Sequence, residues 1–100
     1  MVIQKNVGIL IQHILFIVKV SAGSQHSLVL TGSGQVYGWG NNKQGQSNPF
    51  ETLAVVLQPT RLQLPRDETA RDVLAQMERS MVLCDTGNLY YTGLKGERIG

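Results

Sequence analysis

The chain has 100 residues, of which 42% are hydrophobic and 16% are charged, and its formal net charge is +2. This length sets the limit at one small domain, and the apolar fraction is typical of a folded chain rather than a disordered one. The small charge, carried by scattered Lys and Arg residues, gives no electrostatic case for nucleic-acid binding. The single cysteine, Cys84, excludes an internal disulfide framework.

The first predicted segment spans residues 1–17 and is apolar. Its apolar run covers residues 7–18 and therefore ends at the start of the first repeat. The run contains Gln12 and His13 and is shorter than the roughly 20 residues of a membrane-spanning helix, so no membrane partner is predicted. A basic start and a small-residue site at residues 20–22 fit a secretory signal peptide. Cleavage there would remove the first strand of the repeat, so we favour a buried strand or short helix for the apolar run. For the same reason we favour a location in the nucleus or cytoplasm over secretion.

Two strands joined by a tight turn are predicted next, over residues 26–31 and 35–39. Both are rich in β-branched, aromatic or leucine residues. The turn between them ends in Gly34, which takes the left-handed conformation of a three-residue hairpin loop without a Cβ clash. Apolar side chains point to both faces of the first strand, which predicts burial on both faces within stacked sheets.

A connector punctuated by three prolines follows, over residues 49–71. Its apolar stretch over 53–57 and its alternating stretch over 59–64 predict two edge strands, the second beginning at Pro59, where no ladder hydrogen bond is lost. Helix propensity and early acidic residues favour a helix after residue 66. The repeat described next favours a strand over 72–75 instead. We expect a short helical or irregular piece near residues 67–71, followed by that strand.

A second hairpin is predicted over residues 79–84 and 88–92, and it repeats the first at a constant offset of 53. Its turn places Gly87 where the first has Gly34, and the strands are again apolar on both faces. The identical pairs include Val20/Val73, Ala22/Ala75, Ser27/Ser80, Leu30/Leu83, Gly34/Gly87, Tyr37/Tyr90 and Gly40/Gly93. Self-similarity of this kind predicts a propeller, solenoid or array.

The first copy resembles the regulator-of-chromosome-condensation repeat. The family pattern is, loosely, alanine-glycine, His-Ser-Leu, a glycine turn, Val-Tyr-x-Trp-Gly-x-Asn and a later Gly-Gln-Leu-Gly. The matching residues are Val20–Gly23, His26–Leu28, Gly34, Val36–Asn41 and Gly45–Gln46. Ser47 and Asn48 stand where the pattern has Leu-Gly. The second copy is degenerate, since Gln76, Arg79 and Thr92 replace the expected Gly, His and Trp.

The resemblance implies a seven-bladed β-propeller with four-stranded blades. We therefore predict an all-β, incomplete β-propeller of about two blades built from antiparallel hairpins. Its clear repeat spans residues 18–48 and its degenerate repeat spans 72–100. Two repeats do not close a ring, so we expect the chain to need the remaining propeller blades or self-association. The predicted structural repeat signature consists of Gly23, His26, Ser27, Gly34, Tyr37, Trp39, Gly40, Gly45, Gly87, Tyr90 and Gly93.

None of the chemistry-bearing residues forms a recognisable catalytic, metal or cofactor constellation, so we predict no enzyme activity and no cofactor. The resemblance implies a structural role for His26 in tying blade turns together, and the sequence offers it no convincing base partner. His13 has none either. Trp39 is expected in a blade core. Cys84 is expected to be a buried or turn-edge thiol rather than a nucleophile.

The predicted function is that of a non-catalytic protein-interaction module whose loop region over residues 41–66 binds a protein partner. The resemblance also implies two alternatives. One is guanine-nucleotide exchange on a Ran-like small GTPase, which is catalysed by reshaping the GTPase and leaves no acid–base residue to find. The other is an accessory domain of a larger ubiquitin ligase.

Overall fold

The computed structural model describes residues 17–93, which form two antiparallel sheets with strands in sequential order. The first sheet contains β1 (Ile17–Ala22), β2 (His26–Thr31), β3 (Val36–Asn41) and β4 (Val55–Arg61). The second contains β5 (Ala70–Gln76), β6 (Arg79–Cys84) and β7 (Leu89–Gly93). The prediction of an all-β fold built from antiparallel hairpins is confirmed.

The two hairpins share one register. In the first sheet Val29 of β2 lies opposite Tyr37 of β3, and in the second Val82 of β6 lies opposite Tyr90 of β7. Val82 and Tyr90 lie 53 positions after Val29 and Tyr37, which is the offset between the two copies in the sequence. Because side chains alternate across a strand, equal register places equivalent residues on equivalent faces of the two sheets.

The predicted turn glycines have the conformation that the hairpins require. Gly34 has φ +83° and Gly87 has φ +91°. Each closes its turn with a backbone hydrogen bond, from Gly34 N to Thr31 O at 3.0 Å and from Gly87 N to Cys84 O at 2.9 Å. An L side chain at either position would be strained because its Cβ crowds the backbone when φ is positive.

The main core lies between the sheets. Leu28 and Leu30 point from the first sheet toward Val73 and Val82 of the second, and none of the four is more than 3% exposed. Full burial of a leucine side chain stabilises a fold by about 1.5–3 kcal/mol. The remaining buried members of this core are Val36, Leu62, Leu64, Ala70, Ala75 and Cys84. Face-to-face stacking of the sheets is therefore the principal source of stability.

Burial on both faces is found in β2 but not in β6. Leu28, Val29 and Leu30 are all buried, whereas Met81 and Leu83 are only half-buried. The prediction for the second hairpin was wrong on this point. The face that carries Met81 and Leu83 points away from the first sheet. Residues 17–93 form no further sheet that packs against this face.

The connector contains one edge strand rather than the two predicted. Strand β4 spans Val55–Arg61, so it joins the end of the first predicted strand to the beginning of the second. Pro59 lies inside this strand instead of at its start. Proline is tolerated there because β4 is the last strand of its sheet and one of its edges needs no partner.

The short helical or irregular piece expected near residues 67–71 is irregular and shorter than expected. A single 3-10 turn spans Pro65–Asp67, with Arg66 and Asp67 both at positive φ, and β5 already begins at Ala70. Helix propensity loses here because Val73 and Ala75 alternate into the core as a strand requires. The conflict between propensity and repeat is resolved in favour of the repeat.

Some predictions lie outside the described residues, notably the apolar run up to Phe16 and the end of the chain from Leu94. Over residues 17–93, no helix is long and apolar enough to cross a membrane. The division of the chain into segments 1–17, 18–48, 49–71 and 72–100 stays a prediction.

Candidate functional site

His26 links the two sheets at the end where β2 begins. Its Nε2 lies 2.9 Å from Oγ of Ser80 in β6. The Ser80 hydroxyl donates its proton to the carbonyl oxygen of Gln46, at 2.5 Å. Since a serine has only one hydroxyl proton, we assign the proton of this contact to Nε2, which makes Nδ1 the unprotonated nitrogen.

Gly23 is required by lack of space rather than by its φ. A Cβ at this position would lie 2.5 Å from Cε1 of His26 and 2.7 Å from the carbonyl oxygen of Met77. The same Met77 carbonyl accepts hydrogen bonds from the backbone N and the Oγ of Ser24, both at 3.1 Å. The turns β1–β2 and β5–β6 are therefore in direct contact, and the glycine allows this close approach.

The environment of His26 favours the neutral ring. The residue is 3% exposed, and burial lowers its pKa below the ordinary 6.5, against a smaller opposing effect of the Arg79 backbone. Its Nδ1 has no hydrogen-bond partner among the described residues. Burial disfavours the charged imidazolium, so His26 acts as a hydrogen-bond donor between sheets.

A long loop after β3 is organised by Asn42, a residue that the sequence analysis did not select. Its Oδ1 accepts from the backbone N atoms of Ser47 and Asn48, at 3.2 and 2.9 Å. Its Nδ2 donates to the carbonyl oxygens of Glu51 and Leu53, at 3.2 and 3.1 Å. The Trp-Gly-x-Asn part of the motif contained this signal, since the second of two adjacent asparagines occupies the Asn position.

The base of the same loop is packed against both sheets. Gln46 is 1% exposed and Ser47 is fully buried. A Cβ at Gly38 would clash with the carbonyl oxygen of Ser47, so the loop lies directly on β3. Thr92 of β7 donates from Oγ1 to the carbonyl oxygen of Gly45, at 3.0 Å. The loop is thus anchored to the second sheet as well.

Two large apolar side chains of this loop face outward. Phe50 is 65% exposed and Leu53 is 60% exposed. We call residues 42–54 the display loop, because a well-anchored base carries apolar side chains into solvent. Exposed aromatic and aliphatic groups on a rigid base are typical anchors of protein–protein interfaces.

The other signature residues lie in the sheets. Trp39 packs with Val29 and Val56, and Tyr37 lies against this smaller cluster. Gly40 and Gly93 have positive φ, and the lack of a Cβ allows each to approach a neighbouring turn. Ser27 is buried, Gly45 and Tyr90 lie at the contact between sheets, and Gly34 and Gly87 close the turns. Their assignment as a repeat signature stays a prediction.

Cys84 is fully buried in the core between the sheets. Burial raises the pKa of its thiol, and the nearby carboxylates of Glu68 and Asp85 add to the effect. A thiol with a raised pKa is a poor nucleophile at neutral pH. Among residues 17–93, no group of three or more His, Cys, Asp or Glu side chains is placed to hold a metal ion.

The two sheets are built from antiparallel hairpins and stack face to face. This arrangement is typical of successive blades of a β-propeller. The family model described as the regulator of chromosome condensation (RCC1) repeat matches residues 17–46, which cover β1 to β3 and the first turn of the display loop. The chain belongs to the RCC1-repeat family, as the resemblance implied.

Curated relatives agree with this assignment. The guanine nucleotide exchange factor SRM1 of Saccharomyces cerevisiae is 34% identical over 77 residues, which cover 74% of this chain and 16% of that protein. The ultraviolet-B receptor UVR8 of Arabidopsis thaliana is 30% identical over 78 residues, covering 78% of this chain and 18% of the receptor. The chain therefore spans less than a fifth of the length of these relatives.

A solved structure shows the same arrangement of strands. Yeast RCC1 (Prp20), determined with Kap60 bound to it, superposes on this chain with a TM-score of 0.66 and 31% identity. The match covers 77% of this chain and 18% of the yeast protein. The two sheets thus correspond to part of a larger propeller in that structure.

Proposed function

We propose that the chain is a non-catalytic protein-interaction module whose display loop binds a folded protein partner. The observation that carries this proposal is the contrast within the loop between a buried, hydrogen-bonded base and an exposed apolar tip. Gln46 and Ser47 are buried, whereas Phe50 and Leu53 are mostly exposed. A preorganised loop loses little conformational entropy on binding, so apolar burial at its tip converts efficiently into affinity.

Guanine-nucleotide exchange on a small GTPase is the second candidate function. It is favoured by the 34% identity to a yeast protein named as a guanine nucleotide exchange factor. A relative of similar identity is named as an ultraviolet-B receptor, so family membership does not select one function. The role of an accessory domain in a larger ubiquitin ligase stays a prediction.

The test compares three forms of the full chain: wild type, the double variant Phe50→Ser and Leu53→Ser, and Met77→Ser. Met77 is a matched control because it is 73% exposed and lies at the turn of the second sheet, outside the display loop. A partner recovered by affinity capture is purified and titrated against each form. We expect the double variant to weaken binding by about tenfold or more, because loss of even one hot-spot residue costs about 2 kcal/mol and about 1.4 kcal/mol corresponds to tenfold.

The control variant should bind as the wild type does. Equal binding by all three forms would contradict the proposal. If the recovered partner is a GTPase, its rate of nucleotide release is measured with and without the chain. Unchanged release supports a non-catalytic module, and accelerated release supports exchange instead.

A further inference from the structure

Strand β4, which directly follows the display loop, has a free edge. It pairs with β3 and with no other strand of residues 17–93. Asn42 N donates to Ala54 O at 2.7 Å, and these two residues flank the pair formed by Asn41 and Val55. In an antiparallel ladder, a hydrogen bond in that position means that the flanked pair is not itself hydrogen-bonded. The N–H and C=O groups of Val55 therefore point away from β3, toward the free edge.

The far end of β4 has the same orientation. Leu62 N donates to Val36 O at 2.8 Å, and these residues flank the pair formed by Tyr37 and Arg61. By the same geometry, the peptide groups of Arg61 also point toward the free edge. The outward direction is thus set independently at both ends of the strand.

The residues between these ends complete a row of peptide groups along the edge. Successive peptide groups alternate in direction, so Leu57 and Pro59 share the outward direction of Val55 and Arg61. Proline has no N–H, so Pro59 offers an acceptor only. Val55 and Leu57 each offer a donor and an acceptor. A partner in an extended conformation can satisfy this row, whereas a helix uses its own peptide groups internally.

The side chains along the first half of this edge lack the usual protection against strand pairing. Residues 53–57 include no charged residue, and Val55 is 47% and Leu57 77% exposed. Edge strands of soluble proteins commonly carry charges that prevent the addition of another strand. The edge strands β1 and β5 do carry them, at Lys19 and Asp72. The first half of the β4 edge is therefore open to an added strand.

Two features indicate what kind of segment fits this edge. Exposed apolar side chains continue into β4 from the display loop, where Phe50 is 65% and Leu53 is 60% exposed. At the other end of β4, Arg61 is exposed, and the one ion pair of residues 17–93 is formed elsewhere. Complementarity thus favours a segment that is apolar beside the start of β4 and acidic beside Arg61.

We propose that the protein partner contributes an extended segment, which adds to the free edge of β4 as an antiparallel strand. Its apolar side chains lie beside Val55 and Leu57, and an acidic side chain near its N-terminal end lies beside Arg61. Antiparallel pairing is chosen because it is the more stable arrangement per residue. This inference rests on the proposed function, because it extends the contact of the display loop onto the sheet.

The first test uses a synthetic peptide of seven residues as the probe, with glutamate first and threonine and valine alternating after it. Amide hydrogen exchange of the full chain is measured by NMR with and without the peptide. We expect the Val55 and Leu57 amides to exchange about tenfold more slowly when about nine-tenths of the chain is bound, because only the unbound fraction exposes them. The amide of Val56 points toward β3, so its rate should stay unchanged.

The second test changes the peptide and keeps the chain as wild type. In the proposed pairing the valine amides point toward β4 and the threonine amides point away. N-methylation of the valines should therefore weaken binding about tenfold or more, whereas N-methylation of the threonines should leave it nearly unchanged. Replacing the first glutamate by lysine should weaken binding about two- to threefold, and the difference should shrink at high salt.

The third test changes the chain and uses both the peptide and the partner purified by affinity capture. Leu57→Pro removes the outward N–H and no hydrogen bond to β3, whereas Leu57→Ala shortens the side chain and keeps that N–H. We expect Leu57→Pro to bind about threefold or more weakly than Leu57→Ala. Thermal unfolding checks that both variants are folded. If Leu57→Pro is not, the comparison of the methylated peptides decides the question.

Unchanged exchange of Val55 and Leu57 at saturating peptide would overturn the inference, as would equal binding of the two methylated peptides. Slow exchange of these amides in the chain alone would overturn it too, because a second copy or the chain's own ends would then occupy the edge. Partner binding that is lost in the display-loop variant but equal in Leu57→Pro and Leu57→Ala would remove this inference and leave the proposed function standing.

Discussion

The two sheets carry nearly the same pattern of residues, yet they are buried to different extents. Leu28 of the first sheet is fully buried, whereas its equivalent Met81 in the second is half-buried. The opposite faces do not simply reverse this relation: Val73 is buried and its equivalent Val20 is 40% exposed, but Val82 and its equivalent Val29 are both buried. Equivalent residues of the two repeats are therefore buried to different extents, so the residue alone does not set its burial. The apolar pattern of one strand predicts which residues could be buried in a core. Whether they are buried depends on what packs against that face of the sheet.

The largest effect is expected from truncating equivalent side chains on the covered and uncovered faces. Leu28→Ala should lower the free energy of unfolding by about 2–5 kcal/mol, because it leaves a cavity between the sheets. Met81→Ala should cost about 1 kcal/mol, since this side chain is partly hydrated already. Urea denaturation at a fixed, low protein concentration measures both. Equal losses would show that the two faces are equally covered.

A smaller difference is expected at the two turn glycines. Gly34→Ala should cost about 2–4 kcal/mol, because positive φ is strained and the new Cβ would also clash with the Thr69 side chain. Gly87→Ala should cost only about 1 kcal/mol, since no heavy atom lies within 4 Å of its Cβ position. Thermal unfolding of both variants tests this. A greater loss at Gly87 than at Gly34 would contradict the placement of the connector.

The smallest effect concerns the pH dependence of the contact at His26. Burial lowers the pKa of His26, so the unfolded chain binds a proton more readily than the folded one. The free energy of unfolding should therefore fall as the pH drops below 6.5, by at most about 1.4 kcal/mol per pH unit. His26→Asn keeps a donor for Ser80 and should remove this dependence between about pH 5 and 6.5. The same slope in both proteins would rule out His26 as its source.

The acidic residues do not obscure this measurement. Side-chain hydrogen bonds from Thr86 and Tyr90 lower the pKa of Glu68, and the hydrogen bond from Lys19 lowers that of Asp72. Stability that depends on a lowered carboxyl pKa is lost only as the pH falls below the ordinary carboxyl values of about 4. The two kinds of group therefore act in separate pH ranges.

Much of the fold could be predicted because the hairpins combine local pattern with repetition. The strands predicted over residues 26–31 and 79–84 agree with β2 and β6, and the turn glycines have the expected positive φ. A single hairpin pattern is ambiguous, but two copies in one register indicate a propeller, solenoid or array. Family resemblance then identified these sheets as propeller blades.

The connector could not be predicted as well, for physical reasons that differ along its length. Strand β4 has only one neighbour and contains Pro59, so neither alternation nor composition defines it. Residues 67–71 favour a helix locally, and only the tertiary burial of Val73 and Ala75 overrides that preference. The display loop depends on Asn42, whose four hydrogen bonds to the loop backbone have no periodic pattern in sequence.

The most direct test of the stacked arrangement is the set of methyl contacts measured by NMR on selectively labelled protein. We expect cross-peaks within one chain from Leu28 and Leu30 to Val73 and Val82. Cross-peaks within one chain from Leu28 to Leu83 in place of Val82 would contradict it. They would mean that β6 is shifted by one residue, so that the opposite face of the second sheet meets the first.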